Sequence, residues 1–493
     1  MWNKGMAWLR KAALSVISNE CLFMFANFLV IGVLTMGPLR WHQETVNMFD
    51  RYILIPWGVV LCALRLERNS KRIDMPRRLD LDILFILALW IVVPFGLRFG
   101  MTFNNVGSWH GFIVAYFGIY AMTSEEPEKK RDQLLDLAAV LFGLLSLVLG
   151  AAALYCAVSA AEFGKGVSEF TFGVAKDGML RIGQHHNTTG MIAMLCALMC
   201  LTGMSRSERL VMKLGYVLGA GLMGVLVVLS QSRTSRYSLL AALALAAYGA
   251  LACGRWHKGA LVRHGAGMLA AAVILVGGYA GASVMTDAAL EHYAYARAGV
   301  KQEASVSLIA SASAEQTEKK ETPAAGGEKT RETPAKKVKV VDARGAGDAS
   351  FTGRTLIWRN LFKIWKENPK HFLIGQGVGR TGSRVVEGTL LEKEGAATMH
   401  NTFLQFAADY GLIGLALLCA FLVLLVMPCL RVFFARGEAV MPGGRMLCAL
   451  VVACLMTGMM ESDPFASMRF CNITLLFAFA MIMGRSRDMQ SLV

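Results

Sequence analysis

Backbone taken into hydrocarbon must pair every N–H and C=O internally, so an apolar run of about 20 residues has one open-chain solution, the helix. This sequence is built from such runs. They occupy 18–38, 52–64, 81–97, 109–122, 134–159, 188–204, 212–230, 237–253, 264–286, 402–427, 446–460 and 469–484. Three of them, 52–64, 109–122 and 446–460, are short and borrow length from their flanks. The first is too long for a cleavable signal peptide, lacks a small-residue cleavage site, and is followed past Gly37-Pro38 by more membrane sequence. The pattern predicts an all-α integral membrane protein of about twelve transmembrane helices. With 55% hydrophobic and 17% charged residues, disorder and a secreted disulfide scaffold are both excluded. The cysteines point the same way: Cys196, Cys200, Cys419 and Cys454 sit inside apolar runs without metal-ligand spacing and read as small packing residues.

The net charge of +15 would suggest a nucleic-acid partner on a soluble chain. Here it reads as topology. With a cytoplasmic N-terminus, the inner segments hold 23 Lys and Arg and the short outer segments nine, and every inner segment carries at least two. Both termini are therefore expected in the cytoplasm, and no nucleic acid is needed to explain the charge.

The remaining 18 basic residues fall in one long outer segment, 287–399, which divides the chain into spans one to nine (1–286), this loop, and spans ten to twelve (400–493). Its first part, 302–345, is rich in Ala, Ser, Glu, Lys, Thr and Pro and is expected to be disordered. The part at 351–382 is different. Thr355 to Lys366 places Leu356, Trp358, Leu361, Phe362 and Trp365 near helical spacing, Asn368-Pro369 ends that helix, and Gly375, Gly377, Gly379 and Gly382 form a tight turn leading to span ten.

Four clusters on the outer side carry chemistry. Met399-His400-Asn401-Thr402 stands at the entrance to span ten, followed by Asp409-Tyr410-Gly411-Leu412-Ile413-Gly414. An interfacial histidine can serve as a general base; the plain alternative is a helix start with Asn401 as its cap. Ser230 to Arg236 is a tight loop between spans seven and eight in which Arg233 and Arg236, beside Ser232, run against the positive-inside trend. Guanidinium forks bind phosphate oxygens bidentately; the alternative is snorkelling to lipid headgroups. Arg181 precedes Gly183-Gln184-His185-His186-Asn187 at the mouth of span six. Adjacent histidines face different directions on a helix and no carboxylate sits at ligand spacing, so an anion ligand at Arg181 is favoured over a metal site. Arg354, in Gly353-Arg354…Ile357-Trp358, stands alone as a solvated first-turn residue of the external helix.

Two motifs are set aside. Asp80-Leu81-Asp82 follows Arg77-Arg78 and belongs to a charged collar at the inner end of span three, and Asn187-Thr188-Thr189 is a sequon only in a host that glycosylates such sites. There is no GxxxxGK[ST] phosphate loop for nucleotide-driven transport.

Taken in order, Arg181 with Asn187, then Ser232-Arg233, then Gly353-Arg354…Ile357-Trp358…Asn368-Pro369…Gly375-Gln376-Gly377, and finally His400-Asn401-x-x-Leu404…Asp409-x-Gly-Leu-Ile-Gly, the motifs over about 180–425 resemble the O-antigen ligase and polymerase superfamily of bacterial surface-polysaccharide enzymes. The resemblance implies a GT-C-like helical fold at the inner (cytoplasmic) membrane. It implies transfer of glycan from a polyprenyl, normally undecaprenyl, diphosphate donor to a hydroxyl acceptor, lipid A core or similar, on the outer face. His400 matches the family's essential histidine, and Arg181 and Arg233 its diphosphate-binding arginines, with Arg236 a second arginine three residues on; Ser232, Arg354, Asn401 and Asp409 would support them. The 302–345 insert is not part of that pattern. No cofactor and no metal is expected, and a direct displacement inverts the anomeric carbon. The partners are the lipid-linked donor, the acceptor and membrane lipids.

Within the superfamily, a ligase and a polymerase share fold and donor, and the residues leave both open. A flippase or transporter is the rival from another class, but there is no internal repeat and the long loop follows span nine instead of dividing the chain six and six. A receptor reading finds no signalling domain in the C-terminal tail.

Overall fold

The computed structural model describes residues 78–99, 119–120, 122–163, 172–175, 178–182, 186–253, 259–315, 350–377, 399–436, 441–461 and 470–491, with scattered positions between 19 and 64. The apolar runs at 18–38 and 109–122 therefore lie largely outside the described residues, as do three positions of the run at 52–64.

Most of the described residues are helical, including a single turn at Met122–Glu125 ahead of the second long helix. The other α-helices, in order, are α1 (Leu79–Phe99), α2 (Glu128–Ser159), α3 (His186–Arg206), α4 (Leu210–Leu229), α5 (Arg233–Ala252), α6 (Ala260–Glu315), α7 (Ser350–Glu367), α8 (Pro369–Ile374), α9 (Thr402–Phe434), α10 (Gly444–Gly458) and α11 (Phe470–Ser491). Among the described residues six of them, α2, α3, α4, α5, the first part of α6, and α9, are long and apolar enough to cross a membrane. A small sheet, which the helical reading of the sequence left out, joins α2 to α3. Its strands β1 (Glu162–Phe163), β2 (Phe172–Val174) and β3 (Leu180–Ile182) are antiparallel, with Phe172 opposite Ile182 and Gly173 opposite Arg181.

The bundle is centred on α3, whose Met191 to Cys200 are all buried. Small residues let its neighbours approach, as interfaces in lipid require. The Tyr216 ring of α4 lies against Gly143 of α2 and Gly203 of α3, where added Cβ atoms would stand 3.0 and 2.7 Å from it. Ser146 of α2 and Cys200 of α3 meet over Gly219 of α4. The helix α11 closes the core with Ile473 to Ile482 buried. By contrast α6 is peripheral, leaning on α5 and turning Leu261, Met268, Leu269, Val273 and Val276 outward. A helix so apolar and so little covered by its own chain needs an apolar solvent.

Past the run at 264–286, α6 continues without a break to Glu315, so 302–315, the first part of the segment read as disordered, is helical. This stretch carries Ala304, Ala310, Ala312 and Ala314, the residue type that best favours helix, and is compatible with helix even without an apolar face. Residues 316–345 lie outside the described residues.

Candidate active site

The site lies at the end of the bundle where α3, α5 and α9 begin and α10 finishes. Local chemistry fixes each beginning. Ser232 caps α5, its Oγ accepting from Ser235 N–H at 3.3 Å and bonding Ser235 Oγ at 3.0 Å. Asn401 caps α9 through Oδ1 and Leu404 N–H (3.0 Å), and its Nδ2 donates to the Met459 carbonyl (2.9 Å) just past α10. Gly190, in the first turns of α3, lies so close to the Ser230–Ser235 turn that a Cβ would stand 2.6 Å from Ser232 Cβ. Thr457 near the end of α10 donates to its own helix and meets Ser238 Oγ of α5 at 3.1 Å. Three helix N-termini are thus drawn to one locus, each presenting the positive end of its dipole.

His400 stands among them with φ +47°, a left-handed conformation that non-glycine residues seldom hold. Its neighbours impose it. Met399 is gripped on both sides: its N–H donates to Gln405 Oε1 (3.0 Å) and its carbonyl accepts from Trp358 Nε1 of α7 (2.8 Å). On the other side, Thr402 Oγ1 donates to the Glu461 carbonyl (2.7 Å). Strain of this kind persists where the surroundings over-determine the backbone.

The side chain of Glu461 completes the pair. Its Oε2 lies 3.5 Å from His400 Nδ1, and its Oε1 accepts from Asn187 Nδ2 of α3 at 2.9 Å. Both members are mostly shielded, the histidine side chain 23% exposed and the glutamate 15%. His400 Nδ1 makes no aligned hydrogen bond, so Glu461 acts on the ring through charge. The sequence reading looked for a base and for arginines and missed this carboxylate. The sequence marks Glu461 only as an acid closing an apolar run, two residues before Asp463, with nothing to point to a partner at His400.

Asp409 belongs to the frame. It is buried, and Gln405 Nε2 donates to its Oδ2 (3.0 Å), so Asp409 orients the glutamine that holds Met399. Just beyond it, Gly411 (φ +73°) breaks α9 and meets Gly375 (φ +76°), which follows α8. A Cβ on Gly375 would stand 2.2 Å from Asp409 O, and one on Gly411 2.2 Å from Leu373 O. Only glycine fits either side of that crossing. The break exposes carbonyls, and they are used: Gln376 N–H donates to Ala408 O, Gly377 N–H to Asp409 O and Trp90 Nε1 to Tyr410 O. The external piece is therefore clasped to α9 beside the histidine. The helix predicted at 355–366 is α7, and Asn368-Pro369 does two jobs, ending α7 and opening α8 with Asn368 as cap and Pro369 at the first helical position.

Of the sequence-derived arginines, Arg181 is half-buried on β3, which is tied to α3 by Ile182 N–H to Thr189 Oγ1 (2.9 Å). Arg233 is the first residue of α5 and exposed; Arg236, one turn on, is partly buried, and its Nε has no hydrogen-bond partner among the described residues. Neither Arg233 nor Arg236 forms an ion pair among the described residues. Arg354 falls in the first turns of α7, where the side chains lie outside the described residues, as does His185. Asp80 takes the place expected of it: with Arg78, Glu125 and Tyr120 it forms a charged collar at the start of α1.

The arrangement combines a histidine with a carboxylate behind it, uncompensated guanidinium groups and converging helix N-termini, which suits proton abstraction beside a developing anion. Residues 218–419 match the family model described as O-antigen ligase. That segment contains Ser232, Arg233, Arg236, Arg354, His400, Asn401 and Asp409, whereas Arg181, Asn187 and Glu461 lie outside it. No curated protein and no solved structure matches the chain.

Proposed function

We propose, from the match of residues 218–419 to the O-antigen ligase family model and from six helices long and apolar enough to cross a membrane among the described residues, a glycosyltransferase that moves glycan from a polyprenyl diphosphate donor to a hydroxyl acceptor, of the lipid A core type, on the outer face of the cytoplasmic membrane. The observation that carries this reading is the pairing of His400 with Glu461 at a locus where Arg233 and Arg236 have no ion-pair partner among the described residues.

The chemistry follows from that pairing. The acceptor hydroxyl attacks the anomeric carbon, its proton passes to His400, and the bond from that carbon to the diphosphate oxygen breaks with its electron pair leaving on the diphosphate. With Nδ1 facing Glu461, Nε2 is the nitrogen that takes the proton, and the carboxylate stabilises the imidazolium as it forms. Arg233, Arg236 and Arg181, with the helix N-termini, supply preorganised positive charge for the leaving group. One displacement inverts the anomeric carbon. Trp358, Gln405 and Asp409 touch no reacting atom; they hold Met399 and so aim His400.

Reconstitution with a lipid-linked oligosaccharide and a lipid A-core acceptor tests the proposal. A single addition to the core is the expected product. A ladder of lengthening chains would make the enzyme a polymerase, and movement of the lipid across the bilayer without a covalent product would replace the reading with a flippase.

A further inference from the structure

The crossing of Gly375 with Gly411 lies at a depth that an external loop would not reach. Gly411 is the tenth residue of α9, about 14 Å along its axis. The Tyr410 carbonyl just before it accepts from Trp90 Nε1 of α1 at 2.9 Å. Trp90 is the twelfth of the 21 residues of α1, about 17 Å from the collar end of that helix and in the middle of the apolar run 81–97. Leu89, next to it, is exposed, as are Phe85 and Ile86 a turn before, so α1 faces hydrocarbon at this level. A second sign of depth is how fully the break in α9 is satisfied. The carbonyls of Ala408, Asp409 and Tyr410 each meet a protein donor, and Gly375, Gln376 and Gly377 are all buried. Water would serve such carbonyls on a solvated loop; at membrane depth broken helix persists only where the protein supplies the partners.

The side chains at the crossing are apolar and uncovered. Leu373, whose carbonyl lies against Gly411, is 48% exposed, and Phe372 beside it is exposed too. Leu412 and Ile413, directly past the break, are exposed in the same way. They continue the outward face of α9, where exposed Val423 stands three turns on from Leu412. Trp365, buried between Phe362 and Phe372 at ring distances of 5.3 and 5.2 Å, makes the joint between α7 and α8 apolar as well. Exposed Lys366 and Lys370 flank that joint, and their long stems can lie on hydrocarbon while the ammonium groups reach the phosphates. An apolar tip with aromatic and basic flanks is the composition of an element that enters a bilayer interface.

We propose that α8 and the turn after it form a re-entrant segment, packed on α9 beside α1, that sets Phe372 and Leu373 among the acyl chains of the outer leaflet. The partner of this surface is phospholipid, and the inference stands apart from the donor assignment made above. Because Trp358 of α7 holds the Met399 carbonyl, the leaflet then fixes the height of His400.

The test uses the full chain in phosphatidylcholine proteoliposomes, with the photoreactive residue p-benzoylphenylalanine placed at one position at a time. Leu373 and Phe372 are the two test positions, so each checks the other should one variant fail to fold. Val423, exposed in the middle of α9, is the lipid reference; Tyr295, exposed on α6 past the run at 264–286, is the water reference. After irradiation, mass spectrometry should find phospholipid adducts at both test positions, in a yield close to that at Val423 and absent at Tyr295. Adducts at 372 and 373 no more frequent than at Tyr295 overturn the proposal, by placing α8 in water. Cross-linked dimers in place of lipid adducts also overturn it, by making the patch an interface between copies of this chain.

Discussion

The two ends of the bundle use arginine in opposite ways. At the collar end four of the shielded guanidinium groups are neutralised, while Arg487 donates to the Ser124 carbonyl. Arg78 pairs with Asp80 and Glu125, Arg131 with Asp488, Arg485 with Glu128, and Arg206 with Asp132 and Asp136. These pairs tie α1, α2, α3 and α11 together where the helices leave the apolar layer. At the site end Arg233 and Arg236 have no such partner among the described residues, and the nearby acid, Glu461, is committed to His400 and Asn187. A positive group held without a counter-charge costs stability unless an anion arrives, and three helix N-termini at the same locus add to the deficit. The difference separates structural cations from those kept open for a ligand.

The sharpest way to break this comparison is at the histidine. His400→Ala should lower turnover by about 10²–10⁴-fold, the range for loss of a general base, while abundance and melting temperature stay at wild-type values. Full activity in that variant would remove the base assignment. Next comes the uncompensated charge. Arg236→Gln should weaken transfer by roughly ten- to a hundredfold through the lost charge-assisted contacts to the diphosphate, and should raise thermal stability slightly or leave it unchanged. A marked loss of stability instead would class Arg236 with the collar. Glu461→Gln should cost about tenfold, because the carboxylate aids the imidazolium without touching the substrate. An unchanged kcat in that variant would leave Glu461 only a packing role.

Much of this was legible in the sequence, and the exceptions have physical reasons. Helix positions were readable because lipid demands long uninterrupted apolar runs: α3, α4, α5 and α10 begin and end within a few residues of the runs at 188–204, 212–230, 237–253 and 446–460. His400 and the arginines stood out because polar residues at the edges of such runs are rare. The β1–β3 sheet did not, since its strands are two or three residues long and carry no usable alternation. Glu461 and Trp358 were invisible as site residues for another reason. Their meaning is a contact across 61 and 41 residues of chain, and only the folded bundle brings Glu461 to the His400 ring and Trp358 to the Met399 carbonyl. In the sequence Gly375 reads as part of a turn and Gly411 as one residue of the motif 409–414, although in the fold each glycine is required by the other.

The smallest expected effect lies at the collar and marks the limit of the comparison. Arg206 is shielded, with its side chain 9% exposed, but its partners Asp132 and Asp136 are 43% and 58% exposed. Water screens those carboxylates, so the pairs are worth about 1 kcal/mol or less, and Arg206→Gln should lower stability by that order. The guanidinium also donates to the Pro442 carbonyl, a contact that glutamine can partly replace. Glycan transfer by Arg206→Gln should match wild type in both kcat and KM. A fall in kcat without loss of stability would mean that the collar communicates with the site, and the division between the two ends would fail.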